Sequence, residues 1–228
     1  APTISPMQDI NLGAIASQVL WAAFALAVTF GAIAQRTHFC TMGAVADIVN
    51  IGDWSRMRMW VLAIGTAMIG FNAMAGLGWI DAGKSFYSAP RMVWMSNAVG
   101  GLLFGFGMVL ASGCGSKTLV RIGGGNLKSV VVFVVLGIAA FATLRGIAGV
   151  ARVATVDRIA VEWGRTQDLP TLLATSLGLA RPMAALLLGG AVGGALVLWA
   201  LLRAEGRSRD VLLGGVGIGA VIAAMWWV

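Results

Sequence analysis

The sequence predicts an all-α integral membrane protein, a helical bundle with internal repeat units, and three observations carry that prediction. Hydrophobic residues make up 59% of the 228 residues and charged residues 11%, against roughly 45–50% and 25% in soluble domains; the mean hydropathy is +0.88. Charge-free stretches cover residues 10–35, 59–80, 92–116, 129–144, 182–202 and 211–228, and a span needs about 17–25 mostly apolar residues. The stretch 129–144 is short, and snorkelling of Lys128 and Arg145 extends it. Finally, the only two cysteines sit in matching breaks between apolar runs: Phe30-Gly31 precedes Cys40 as Phe104-Gly105 precedes Cys114, 74 positions on.

The elements follow in order within one membrane domain over 1–228. The first repeat unit, about 15–80, reads as a span over 15–34, a break at 35–40, a short helix over 41–51 and a span over about 57–80. The second, about 93–147, reads as a span over 93–111, a break at 112–115, a short helix over 116–122 and a span over 127–147. Gly123-Gly124-Gly125-Asn126 ends that short helix, because glycine and asparagine accept the left-handed conformation of a helix C-terminus. Residues 148–181 mix Arg152, Asp157, Arg158, Glu162, Arg165 and Asp168 and read as an extramembrane segment. A short amphipathic helix is expected there, with Val153, Val156, Ile159, Ala160 and Trp163 near one face. Two further spans cover about 183–202 and 212–228. The pairs Gly189-Gly190, Gly193-Gly194 and Gly214-Gly215 read as packing faces, since small residues let helices approach closely in lipid.

Charge sets the expected orientation. The formal charge is +7, and basic residues cluster at Arg56/Arg58, Arg121/Lys128 and Arg203/Arg207/Arg209. The positive-inside rule places these in the cytoplasm, which puts the N-terminus and residues 148–181 outside. No nucleic-acid module is visible despite the high charge, and two cysteines within membrane segments are not a secreted disulfide framework. The start, 1–12, lacks the basic region of a signal peptide, and an initial alanine reads as a trimmed chain.

The chemistry lies in the two breaks. Ser112-Gly113-Cys114-Gly115-Ser116-Lys117-Thr118 packs small residues, hydroxyls, a thiol and a lysine at the start of a helix, where unpaired N–H groups and a partial positive charge suit an anion. Gly113 and Gly115 let backbone approach a ligand, and Lys117 and Arg121 share one helix face, facing either lipid phosphate or the incoming anion. A Walker phosphate loop is excluded, because the glycine-rich lead and strand are missing. A small cysteine filling a glycine kink is the plain alternative for one break; two breaks at one spacing favour a shared site. In the first break, Gln35-Arg36-Thr37-His38-Phe39-Cys40-Thr41, His38 is the only histidine. A metal needs more ligands than this pair and Cys114 provide, so no metal and no cofactor are expected. His38 and Arg36 are expected to bond the broken backbone or sit at the cytoplasmic mouth. Asp47 must pair or face water, and a basic residue of the other unit is the expected partner.

These residues carry a family resemblance. The runs Arg36-Thr37-His38-Phe39-Cys40-Thr41-Met42-Gly43-Ala44 and Ser112-Gly113-Cys114-Gly115-Ser116-Lys117-Thr118-Leu119-Val120-Arg121, followed by Gly123-Gly124-Gly125-Asn126, resemble the N-terminal cysteine motifs of the YeeE/YedE family of bacterial membrane proteins, over about 21–147. The resemblance implies import of thiosulfate or related sulfur anions across the inner membrane, without enzymatic conversion. It implies short helices meeting near the centre, with Cys40 and Cys114 passing the substrate between thiols through weak S–H contacts. The implied site comprises Cys40, Cys114, Thr41, Gly113, Gly115, Ser116, Lys117, Arg121 and His38, and the implied partners are the sulfur anion, membrane lipids and a small cytoplasmic sulfur-carrier protein. Longer members carry a further cysteine in a related C-terminal half, against which this chain reads as a fragment or one half of a two-part assembly. The competing reading is a membrane thiol–disulfide or sulfur-transfer enzyme using both cysteines, although no Cys-x-x-Cys motif supports it.

Overall fold

The first helix, α1 (Leu12–Thr37), continues past the expected end of its span and takes in Gln35 and Arg36, so the first break narrows to residues 38–40. The computed structural model describes residues 12–80, 91–162, 169–178 and 180–228. After the break come α2 (Thr41–Ile51) and α3 (Ser55–Gly76). The second unit comprises α4 (Trp94–Leu110), α5 (Gly115–Gly123) and α6 (Leu127–Arg145), continued by α7 (Ile147–Ala154). Then follow α8 (Leu169–Leu177), α9 (Arg181–Leu201) and α10 (Arg209–Met225). Among the described residues, five stretches are long and apolar enough to cross a membrane: Gly13–Ile51, Ser55–Gly76, Trp94–Gly123, Leu127–Arg145 and Arg181–Leu201. Both cysteine breaks thus fall inside candidate spans. Helix α10 has 17 residues, at the short end of the range for a crossing. The chain is an all-α, multi-pass membrane protein.

The packed centre is α3, gripped between α9 and α10 with α1 beyond α10. Glycine makes this grip possible. A side chain on Gly193 would lie 2.6 Å from Ile69 and 3.0 Å from the Gly65 carbonyl of α3, and one on Gly215 would lie 2.5 Å from Leu62, which is fully buried. Matching contacts run in step from Met59 with Gly214 to Thr66 with Gly219 and Gly70 with Ala223, so α3 and α10 are parallel. Helix α9 runs the other way, Gly65 meeting Gly193 while Gly76 meets Leu186. Only one member of each of two glycine pairs packs: a side chain on Gly190 or Gly194 would meet nothing within 4 Å. At the end where α3 begins, Arg58 is buried, donates to the Trp199 carbonyl at 3.0 Å and lies 4.9 Å from the Trp199 ring centre. It therefore clamps α3 to α9, in a role distinct from a free cytoplasmic charge.

The second unit stands apart from this centre. Helix α4 buries no residue, and α1 reaches the unit through α5. Leu102, Phe104, Phe106, Val131, Val135 and Phe141 face outward, a surface that suits hydrocarbon.

The segment 148–181 departs from the single amphipathic helix expected there. Thr155 leaves helical geometry (φ −115°, ψ −84°) and a 3-10 turn follows over Val156–Arg158. Strand β2 (Val161–Glu162) then pairs antiparallel with β1 (Arg91–Met92), Met92 opposite Val161. Ladder bonds thus capture a backbone that side-chain periodicity assigned to a helix. Helix α8, which packs on α9, was hidden because its 9 residues are too few to set a period; Pro170 opens it and Gly178 (φ 65°) follows it. The expectations for the N-terminal residues 1–11 and for Trp163, Arg165 and Asp168 lie outside the described residues.

Two outcomes test this packing. Gly193→Ala should destabilise the detergent-solubilised protein by about 1–3 kcal/mol, whereas Gly194→Ala should leave its thermal midpoint unchanged. In the connection before α3, the Asp53 carboxylate accepts from the Ser55 hydroxyl at 2.6 Å and amide at 2.9 Å. Those bonds, the hydroxyl's first and with Arg56 contributing, hold its carboxyl below the ordinary value of 3.8 against the opposing effect of burial. Its stabilising effect is complete above that value and is lost as pH falls through the lower folded one. Asp53→Ala should therefore lower the thermal midpoint slightly at pH 7 and have no effect at a pH below both values.

Candidate functional site

The two breaks share one backbone solution. Each preceding helix ends with a left-handed residue two positions before the cysteine, His38 at φ 51° and Ser112 at φ 54°. In each, the next amide reaches back over the last turn: Phe39 N–H donates to Ala34 O and Gly113 N–H to Met108 O, both at 3.0 Å. This is the Schellman closure, which satisfies carbonyls a helix end would otherwise leave bare. In each, the cysteine then adopts an extended conformation as N-cap of the short helix, Cys40 for α2 and Cys114 for α5. Every corresponding pair is 74 residues apart, the interval between the cysteines.

The two thiols differ in their engagement. Cys40 is buried, 8% exposed, and its sulfur accepts from the Gly43 amide at 3.4 Å, capping α2. Phe39 beside it packs against both buried core clusters, one built on Met59 and Leu62, the other on Ala63 and Ile218. Cys114 is half-buried and makes no capping bond to α5; the Thr118 hydroxyl donates to its carbonyl at 3.1 Å instead. Both cysteines are free thiols.

A single cavity of about 910 Å³ holds both. Its wall comprises α1 from Leu26 to Gln35, the break with Phe39, Cys40 and Thr41, then Cys114, Ser116, Leu119 and Val120 beside α5, and the end of α10 at Met225 and Trp226. Of the residues singled out in the sequence, Cys40, Thr41, Cys114 and Ser116 meet on this wall. Gly113, Gly115, Lys117, Arg121 and His38 are not on it. Gly113 is buried behind Cys114, with the Lys117 stem laid across it; a side chain there would lie 3.0 Å from Lys117 Cδ. His38 is exposed, and its left-handed backbone is the feature it contributes to the break. Asp47 pairs with Arg56 at 3.2 Å, a partner within its own unit, which corrects the expectation of one from the other. The cause is local: Arg56 opens α3 immediately after α2 ends. Among the described residues no cluster of three metal-ligating side chains occurs.

A second cavity, about 990 Å³, runs along α3, α9 and α10, and shares Phe30, Phe39, Ile222 and Trp226 with the first. It is larger but lined mainly by apolar side chains with Asn72 and Arg181 among them, and it has no thiol. The cysteine cavity is therefore the better candidate for chemistry on a polar sulfur compound. Sequence reasoning missed Arg56, Phe39 as a wall, and the whole contribution of α10.

Comparison with known proteins identifies the family. The model of a family described as sulphur transport matches residues 36–227. The chain is 32% identical over 99 residues to the thiosulfate transporter TsuA of Escherichia coli K12, covering 43% of this chain and 27% of that protein. It is 27% identical over 128 residues to the thiosulfate transporter TsuA of Spirochaeta thermophila, covering 56% and 37%. It is also 33% identical over 96 residues to the probable transporter YedE of Salmonella typhimurium LT2, covering 41% and 22%. The chain spans little more than a third, at most, of the length of these curated relatives. With the family model matching most of the chain and both cysteine motifs, this protein belongs to the sulphur transport family, the YeeE/YedE membrane proteins.

Proposed function

We propose that this chain moves thiosulfate or a related sulfur-containing anion across the bacterial inner membrane, along a path on which Cys40 and Cys114 present their thiols. The observation that carries this reading is the one cavity shared by both cysteines, each at the start of a short helix with the same backbone. Thiosulfate is a dianion with a soft terminal sulfur. A neutral thiol donates a weak hydrogen bond to that sulfur, while helix N-termini favour the negative charge. A thiolate would repel it, so the thiols act protonated and no covalent conversion is needed. Thr41 and Ser116 add hydroxyls, Gly115 lets backbone approach, Lys117 and Arg121 draw the anion in, and His38 marks the mouth. The basic clusters face the cytoplasm and the N-terminus the periplasm, and a small sulfur-carrier protein takes up the cargo on the cytoplasmic side.

Uptake of labelled thiosulfate by cells expressing the chain tests the proposal. Cys40→Ala and Cys114→Ala should each reduce uptake by about tenfold or more, the effect of one lost interaction of about 1.4 kcal/mol, with membrane insertion intact. Uptake at the unsubstituted rate by either variant would overturn it. Because both thiols are free and face one cavity, a redox pair is the second reading. Loss of maleimide labelling at both cysteines after mild oxidation would favour that reading.

A further inference from the structure

We propose that Arg56 is the counter-charge for the anion at Cys40 and makes that thiol selective for anionic over neutral sulfur compounds; the inference rests on the transport reading above. Gly43 lies in the first turn of α2 and is buried. A side chain there would sit 2.8 Å from Arg56 Nη1 and 3.8 Å from Cys40 Sγ. A guanidinium nitrogen therefore packs directly on Gly43, beside the thiol sulfur and next to the cavity wall at Cys40, an approach possible only because residue 43 has no side chain. Arg56 Nε is held at 3.2 Å by Asp47, one turn along α2 from Gly43. The guanidinium side chain is 38% exposed, so its charge is only partly screened by surroundings outside the protein.

A basic side chain also covers a glycine next to the other thiol. The stem of Lys117 lies across Gly113, the residue before Cys114. The parts laid over the two glycines differ: at Gly113 it is the aliphatic stem of Lys117, from the cysteine's own short helix, and at Gly43 it is a guanidinium nitrogen of Arg56, from the next helix. The chemistry fits an oxyanion with a soft sulfur. Its charged oxygens need a counter-charge away from bulk water, and a planar guanidinium supplies charge and several donors together. A neutral thiol or organic persulfide gains nothing from Arg56. Asp47 fixes the guanidinium beside α2, and Gly43 lets it come within range of the sulfur.

The test reads binding at Cys40 directly. The full chain carrying Cys114→Ser, in membranes, is alkylated at Cys40 with a small maleimide at rising thiosulfate concentration, and the concentration giving half-protection is measured. Arg56→Gln should raise that concentration about tenfold or more, on the scale of a charge interaction at this range, and Arg56→Lys should restore much of the loss. Gly43→Ala keeps the charge but pushes the guanidinium away from the thiol, so it should raise the value as well, and combining it with Arg56→Gln should add little. Half-protection unchanged in Arg56→Gln, or in Gly43→Ala if the former does not reach the membrane, overturns the role of Arg56 while leaving the transport reading standing. If thiosulfate fails to protect Cys40 in the parent protein, the transport reading itself fails.

Discussion

A broken helix inside an apolar span must satisfy its own backbone, and the site follows from that constraint. Water is not available there to bond a bare carbonyl or amide, so irregular backbone is tolerated only where protein or a cavity supplies partners. The chain meets the requirement identically in both units. A left-handed residue turns the chain, a long-range amide bond closes the preceding helix, and an extended cysteine opens the next one. The thiols are consequently delivered at the starts of short helices as a by-product of closing the break. The Cys40 sulfur also takes part in the closure by accepting from the Gly43 amide, while Cys114 makes no side-chain cap bond; in both places cysteine adds a weak donor and a polarisable sulfur.

The two halves of the site are held with different firmness. Cys40 is indexed against the densest part of the molecule, because Phe39 packs on both core clusters and α1 packs against α10. The close approach of α3 to α9 and α10 depends on glycines whose neighbours leave no room for a side chain. Cys114 hangs from α4 and α5, which meet the centre through α1. The cavity between the thiols therefore has one tightly packed wall and one wall whose outer face is open to lipid or to further protein. That asymmetry matches the difference in burial of the two sulfurs.

Charge is distributed to serve both fold and site. Arg58 is spent on the structure, buried against Trp199. Arg56, two residues earlier, turns to the opposite task and lies over Gly43 near the first thiol. Adjacent positions on one helix face different neighbours, and only the packing of α3 against α2 and α9 separates their roles. Asp47 illustrates the same point, since its counter-ion came from the nearest helix start rather than from across the repeat.

The helical membrane class, the two breaks and their common interval were legible in the sequence, because charge-free runs, glycine and proline act locally and need no knowledge of the rest of the chain. The left-handed turns were partly legible: glycine announces the one at Gly125 after α5, while Asn126 is extended and caps α6 instead, but His38 and Ser112 do not announce theirs. The strand pairing of 91–92 with 161–162, the helix α8, the grip of α3 and the guanidinium beside Cys40 came only from tertiary structure. Each joins residues distant in sequence, or residues too few to show a period, so no local pattern could reveal them. That both cysteines open short helices follows from the order of residues; that they border the same space follows from how those helices pack.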